Sequence, residues 1–374
     1  MIRINFFGDF VAPATNSLST DSALADLIAD ADYNIVNMEA PAVPDGIGKP
    51  IQKSGPTLRQ SPQSCSWLEA NGFNIISLAN NHMMDFGVSG LQATEKAFHT
   101  SRTIGAGNWK EAYEPLILEC DGKKIGIYAL SHCEFGNLID EWDATSQYGV
   151  AWINHPKVDA KLLESREKVD YLIIYAHAGL EYAEQPLPEW RDRYRQLIDL
   201  GCDAIIATHP HIMQGWEFYH DHPIVYSLGN FFFPSKMGNS IRWKQSICAT
   251  LTLEGSQISL KTTPLHFTEN GISICKDKEC LDYLYRINRT LADTEAYMEY
   301  VNGKCLELES SYHNLFVCSG MGTLLSWKDL KRYSRLRLRE PSRLSITHML
   351  NNLRCETHRW CILRAMKLKS KESL

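Results

Sequence analysis

The sequence predicts an α/β protein, and three observations predict it. Short apolar runs rich in Ile, Val and Phe alternate with stretches of helical period from Ile2 to Leu228. Runs such as Ala204 to Ala207 are continuously apolar, the pattern of parallel strands buried on both faces. Five of these runs end in an acid, an asparagine or a histidine. In alternating α/β chains the carboxyl edge of the sheet is where ligands collect.

The chain in order supports this. Ile2 to Phe7 reads as the first strand, followed by Gly8 and Asp9. A helix is expected from about Asp21 to Ala31, capped by Thr20 or Asp21. The strand Tyr33 to Met38 leads directly to Glu39. Residues Pro41 to Pro62 are rich in Pro, Gly and Ser and predict a long loop, a kind that is usually functional. It carries Lys53 and Arg59, either of which can reach an anionic substrate. A helix from Ser61 to Asn71 stops at Gly72, and the strand Phe73 to Leu78 runs into Asn80, Asn81 and His82. Asp85 follows, then a helix from about Ser89 to His99.

Thr103 to Gly107 predicts a short strand, and Glu114 to Leu130 a hairpin about Asp121-Gly122. His132 falls in the next loop and reads as structural. A helix from Pro156 to Glu167 precedes the strand Asp170 to Ala176, which ends at His177, with Glu181 just beyond. The amphipathic helix Pro188 to Leu200 precedes the strand Ala204 to Ala207 and the sequence Thr208-His209-Pro210-His211. An extended backbone there would send His209 and His211 to the same side. Ile224 to Leu228 is a further strand, followed by Gly229, Asn230 and three phenylalanines. A hairpin about Glu254-Gly255, a second meander and a helix from Lys278 to Asp293 complete the globular part. The expected division is a domain over residues 1–305 and a basic, partly helical tail over 306–374. Within that tail Arg335 to Arg339 alternates Arg with Leu, and Leu353 to Leu368 suits a basic amphipathic helix.

Composition narrows the function. The chain has 374 residues, 44% hydrophobic and 22% charged, an ordinary globular balance. No run approaches the ~18 apolar residues of a transmembrane helix. The opening MIRINFFGD is strand-like, so neither a signal peptide nor secretion is expected. Eleven cysteines without a CxxC pair fit reduced thiols and a cytoplasmic location. The net charge of −6 is uneven: from Lys328 onward there are thirteen Lys/Arg and four Asp/Glu, against 25 and 40 before it. Such a tail suits an anionic partner or the acidic body itself; no nucleic-acid partner is expected.

Asp9, Glu39, Asn81, His82, His177, His209 and His211 therefore converge at strand ends. Mixed nitrogen and oxygen donors suit Mn, Fe or Zn better than Ca or Mg. The donors outnumber the needs of one tetrahedral ion, so one or two divalent ions are expected, the pair fitting better.

The stretches FFGDF (6–10), NMEAP (37–41), NIISLANNHMMDFG (74–87), IGAG (104–107), HAGLEY (177–182), THPH (208–211) and YSLGNFFF (226–233) resemble the CapA family. This family of capsule and poly-γ-glutamate biosynthesis proteins uses the calcineurin-like metallophosphoesterase fold. The resemblance implies a four-layer α/β/β/α sandwich with metal at the strand carboxyl ends. It implies that Asp9 and His211 bind one ion, that Asn81, His177 and His209 bind a second, and that Glu39 bridges them. His82 would act on protons, oriented by Asp85, with Glu181 in support and Asn230 near the substrate. Val11 stands where ordinary metallophosphoesterases carry a histidine, and Glu39 where they carry aspartate.

The implied activity is hydrolysis of a phosphoester by metal-bound hydroxide, during synthesis of an anionic cell-surface polymer. Two rivals are action on a γ-glutamyl amide and a non-catalytic assembly role with a structural metal. In the last, the basic tail would dock a membrane-associated synthase or the anionic polymer.

Overall fold

Two sheets stack face to face in the computed structural model, which describes residues 1–235, 240–317 and 343–372. The first runs in the order Ser19–Thr20, Gly271–Ile274, Gln257–Phe267, Gln245–Glu254, Ile2–Phe10, Tyr33–Met38, Ile75–Ser77 and Arg102–Ile104, with Asn230–Phe232 also beside Ile2–Phe10. The second runs Trp216–Tyr219, His222–Val225, Ala204–Thr208, Tyr171–His177, Lys123–Ser131 and Leu116–Cys120. Strands that feed the site, Ile2–Phe10 with Tyr33–Met38 and Tyr171–His177 with Ala204–Thr208, pair in parallel. Their carboxyl ends therefore share one rim.

Period-two side-chain alternation fixes the layers. Ile4, Phe6 and Ile35 of the first sheet pack against Ile127, Ile173, Tyr175 and Ile206 of the second. The alternate residues Phe7, Val36 and Ile76 face outward onto the helices Ser22–Ala29 and Gln63–Ala70, through Leu24 and Leu68. On the other side Leu172, Ile174 and Ile205 bury against Trp190, Tyr194 and Leu197 of the helix Pro188–Asp199. The result is the expected α/β/β/α sandwich. One polar link crosses its centre: the Tyr175 hydroxyl donates to the carbonyl of Phe7.

Helix caps and turns follow the local chemistry. Asp21 accepts from the Leu24 amide at 2.8 Å and opens the first helix. The Asp121-Gly122 turn has φ of 50° and 72°, the positive values a two-residue hairpin needs. The expected strand Thr103 to Gly107 is instead divided between two sheets. Arg102–Ile104 joins the first, and Ala106–Asn108 joins a small sheet with Tyr148–Ala151 and Asn137–Leu138. Gly105, at φ 84°, breaks the run.

The C-terminal region also differs from expectation. The helix Thr294–Val317 runs through the boundary expected at 305 and 306. The helix expected over Leu353 to Leu368 is found as Glu356–Glu372, preceded by a further helix, Arg343–Arg354, and parted from it at Cys355. Cys361 and Ala365 join Val301 and Cys305 in the core that contains Trp190, so the last helix packs onto the body. The Arg335 to Arg339 alternation lies outside the described residues. Among the described residues no helix is long and apolar enough to cross a membrane.

Candidate metal centre

Asp9 reaches the rim through a close approach of two backbones. A Cβ on Gly8 would lie 1.8 Å from the carbonyl oxygen of Gly229, so glycine is required there. The amide of Asp9 donates to that carbonyl at 3.1 Å. The pairing register also slips between Phe7 and Asp9, which then stands opposite Asn37. The Asn37 amide donates to Asp9 Oδ1 at 2.8 Å. Asn80 in turn donates to Asn37 Oδ1 at 3.1 Å and to the Met38 carbonyl at 2.8 Å. Asn37 and Asn80 thus brace the acidic side of the site, a role that sequence reading did not assign.

The histidines come from the second sheet. His177 ends its strand, and its Nε2 lies 3.0 Å from Asn81 Oδ1 and 3.1 Å from His209 Nδ1. Its Nδ1 lies 3.4 Å from Asp9 Oδ1. The backbone after Thr208 is not extended, contrary to the sequence expectation. His209 has φ 99° and His211 φ 60°, values that non-glycine residues seldom adopt. The two rings still converge, their centroids 5.8 Å apart, because the turn rather than a strand aims them. The amide of His209 donates to Asp9 Oδ2 at 3.2 Å, tying this turn to the opposite sheet.

Glu39 lies between the two sets of side chains. It is wholly buried, yet neither carboxylate oxygen has a hydrogen bond. Its Oε1 lies 3.5 Å from His211 Nε2 and 3.6 Å from His177 Nε2. A buried carboxylate without hydrogen bonds is costly unless a cation accompanies it. Two donor sets share it: Asp9, Glu39 and His177, and Glu39, His209 and His211, each with ligand atoms within 4.8 Å of one another. This chemistry fits a divalent ion with nitrogen and oxygen ligands.

The electrostatics are mixed: Asp9, His177 and His209 are held in their ligand forms, Glu39 and His211 are not. Burial raises the Glu39 pKa well above the usual range, with His211 the largest opposing influence. Burial holds His177 down to about 4 and His209 lower than normal, so both are neutral, the ligand form. For His211 burial works downward, but Glu39 and Asp9 outweigh it and lift the ring to about 10. Burial would raise Asp9; hydrogen bonds from His177 and His211 outweigh that and keep it ionised.

His82 sits beside this cluster. Its Nδ1 lies 2.8 Å from Asp85 Oδ2, and Asp85 also accepts from Lys53 and from the Leu58 amide. Lys53 is therefore buried and paired, 3.1 Å from His82 Nδ1. Arg59 instead pairs with Asp45 at 3.0 Å, both side chains exposed. Asn230 holds His211: its Oδ1 lies 3.0 Å from His211 Nδ1, and its amide donates to the carbonyls of His211 and Trp243. Glu181 is half-buried and contributes charge that Glu39 and His211 feel.

A model of the bacterial capsule synthesis protein PGA_cap family matches residues 15–235, more than half of the chain. The chain belongs to this family. It is 27% identical over 246 residues to the capsule biosynthesis protein CapA of Bacillus anthracis, covering 62% of this chain and 59% of that one. It is 28% identical over 251 residues to the PGA biosynthesis protein CapA of Bacillus subtilis (strain 168), covering 62% and 63%. The chain thus matches about three fifths of the length of these curated relatives. A hypothetical protein from Thermus thermophilus aligns over 71% of this chain and 100% of its own, at 14% identity and a TM-score of 0.46.

Proposed function

We propose that this PGA_cap protein is a metal-dependent hydrolase of phosphoesters that serves the synthesis of an anionic capsule or poly-γ-glutamate polymer. The observation that carries the reading is Glu39, whose two buried oxygens lack hydrogen bonds while His177 and His211 face one of them. Asp9, Glu39, Asn81, His177, His209 and His211 would hold one or two ions of Mn, Fe or Zn. A bound divalent ion would supply charge neutralisation at a phosphoryl oxygen and a water of lowered pKa.

The remaining work falls to this chain's own side chains. Asp85 orients His82 through Nδ1 and stabilises its charged form, leaving Nε2 to deliver a proton to a leaving oxygen. Burial lowers the His82 pKa and favours release of that proton, with Lys53 acting in the same direction. Asn37, Asn80 and Asn230 position Asp9, the Met38 backbone and His211, so the donors are fixed before substrate arrives. The names of the Bacillus relatives, capsule and PGA biosynthesis, support an anionic polymer pathway. The basic C-terminal region is suited to a membrane-associated synthase or to the polymer itself.

The test is turnover by Mn²⁺-loaded protein on an aryl phosphodiester and an aryl phosphomonoester. Turnover that His82→Ala abolishes supports the reading. Inertness toward both substrates contradicts it; cleavage of poly-γ-glutamate in the same experiment would assign the site to a γ-glutamyl amide.

A further inference from the structure

Next to the centre described above lies a second set of ligand-type side chains that shares no donor with it. His132 and Glu134 follow the strand Lys123–Ser131, and Cys355 lies at the break between the two C-terminal helices. A ring nitrogen of His132, a carboxylate oxygen of Glu134 and Cys355 Sγ lie within 4.8 Å of one another. His132 Nε2 is 3.4 Å from Glu134 Oε1, and His132 Nδ1 is 4.0 Å from Cys355 Sγ. Donor-to-donor edges around a tetrahedral zinc are roughly 3.3 to 3.7 Å, from its bond lengths to nitrogen, oxygen and sulfur. These two approaches use opposite ring nitrogens, so binding one ion through a single nitrogen requires side-chain shifts within the 4.8 Å that encloses one donor from each residue.

Ordinary packing accounts for this arrangement poorly. His132 and Cys355 are wholly buried, and the partner of His132 Nε2 is the Glu134 carboxylate at 3.4 Å, an ion pair outside hydrogen-bond geometry. A buried pair held this loosely leaves room for an ion that both groups can bind. His358 lies three residues beyond Cys355, in the first turn of the last helix, close enough to feel the charges of Glu134 and His132.

The geometry points to a second metal site, formed by His132, Glu134 and Cys355, that takes a thiophilic divalent ion of the zinc class and fastens the C-terminal helices to the rim of the sandwich. A thiolate selects such an ion over Mg²⁺ or Mn²⁺. On binding, the Cys355 thiol, and His132 if charged, release their protons to solvent. The surrounding segment is already built for docking. Glu356 accepts from the Cys133 amide at 3.0 Å, Trp152 Nε1 at 2.9 Å and Asn154 at 2.8 Å, and Thr357 accepts from Trp190 Nε1 at 2.9 Å. His132 also packs against His209, ring centroids 4.1 Å apart and planes tilted by 58°, so the second site bears directly on a ligand of the first. Cys355 lies beyond residue 235, where the family match ends, so this donor comes from outside the matched region.

Cobalt substitution of the full-length, metal-stripped protein tests the site. Co²⁺ bound by a thiolate gives a sulfur-to-cobalt charge-transfer band in the near ultraviolet, which nitrogen and oxygen ligands do not. The wild type and Asp9→Asn are expected to show the band; Cys355→Ser and Glu134→Gln, with unchanged far-ultraviolet circular dichroism, are expected to lose or weaken it. X-ray absorption at the zinc edge of the wild type gives the answer even if the variants misfold, because a sulfur neighbour must be present. Absence of the band and of a sulfur neighbour in the wild type, or an undiminished band in Cys355→Ser, would overturn the proposal.

Discussion

Gly8 and Gly229 approach so closely that a single added methyl group on Gly8 would lie 1.8 Å from the Gly229 carbonyl oxygen. That contact sets the path of the chain one residue before Asp9. Gly8→Ala is expected to destabilise the protein by about 1–3 kcal/mol, since backbone must move to admit the methyl. A thermal melt checks this, and metal retention by the folded fraction should fall as well. A variant with wild-type melting and wild-type metal content would show that the approach is unimportant.

His209 and His82 should fail in different ways. His209→Ala removes a donor that lies 3.1 Å from His177, so bound metal is expected to drop. His82→Ala leaves the donor set intact, so metal stays while turnover falls by about 10²–10⁴-fold. Elemental analysis beside a phosphoester assay separates them. Equal metal content in wild type and His209→Ala removes His209 from the site.

Glu217 offers a pH test far from the centre. Burial pushes its carboxyl up, but hydrogen bonds from Arg195, Arg191 and Tyr226 outweigh that and hold it at about 2. A folded-state pKa below the unfolded value stabilises the native state above the unfolded pKa, and the contribution fades as pH falls through the folded pKa. Glu217→Gln should therefore melt below wild type at pH 7, the gap closing between about pH 4.5 and 2. A gap that is constant with pH would mean that the carboxylate charge contributes nothing.

The polar contacts of Glu356 predict how the C-terminal segment detaches. Glu356→Ala leaves Trp152 Nε1, Asn154 and the Cys133 amide without their acceptor. The buried Cys133 amide left unsatisfied costs about 1–3 kcal/mol, the half-buried Trp152 and Asn154 donors less. Amide exchange in the helix Glu356–Glu372 is expected to quicken, while the strand Tyr171–His177 stays protected. Unchanged exchange in that helix would show that its docking does not depend on Glu356.

How much of this was legible in the sequence follows from what local patterns encode. Tyr33–Met38 could be read residue for residue, because an apolar run ending in an acid defines both strand and rim. The α/β/β/α layering and the family were legible through motifs such as LANNH and THPH, and Asp9, Glu39, Asn81, His177, His209 and His211 do come together. The sign of φ at His209 and His211 was not, since nothing in the residue types forbids an extended chain there. Gly105 passed as one residue of a strand because a break looks the same as a continuation until neighbouring strands are placed. The approach of His132 to Cys355 spans 223 residues and follows no spacing rule, so only the fold reveals it. Lys53 read as a loop residue able to reach an anionic substrate, whereas its partner Asp85 draws it inside.

The central claim is that two sheets bring their strand ends together to hold a cation. The most direct measurement is an anomalous difference map from crystals soaked in Mn²⁺. A peak within bonding distance of Glu39, His177 and His211 is the predicted result. A map with no peak there, at Mn²⁺ concentrations that saturate binding in solution, would contradict it.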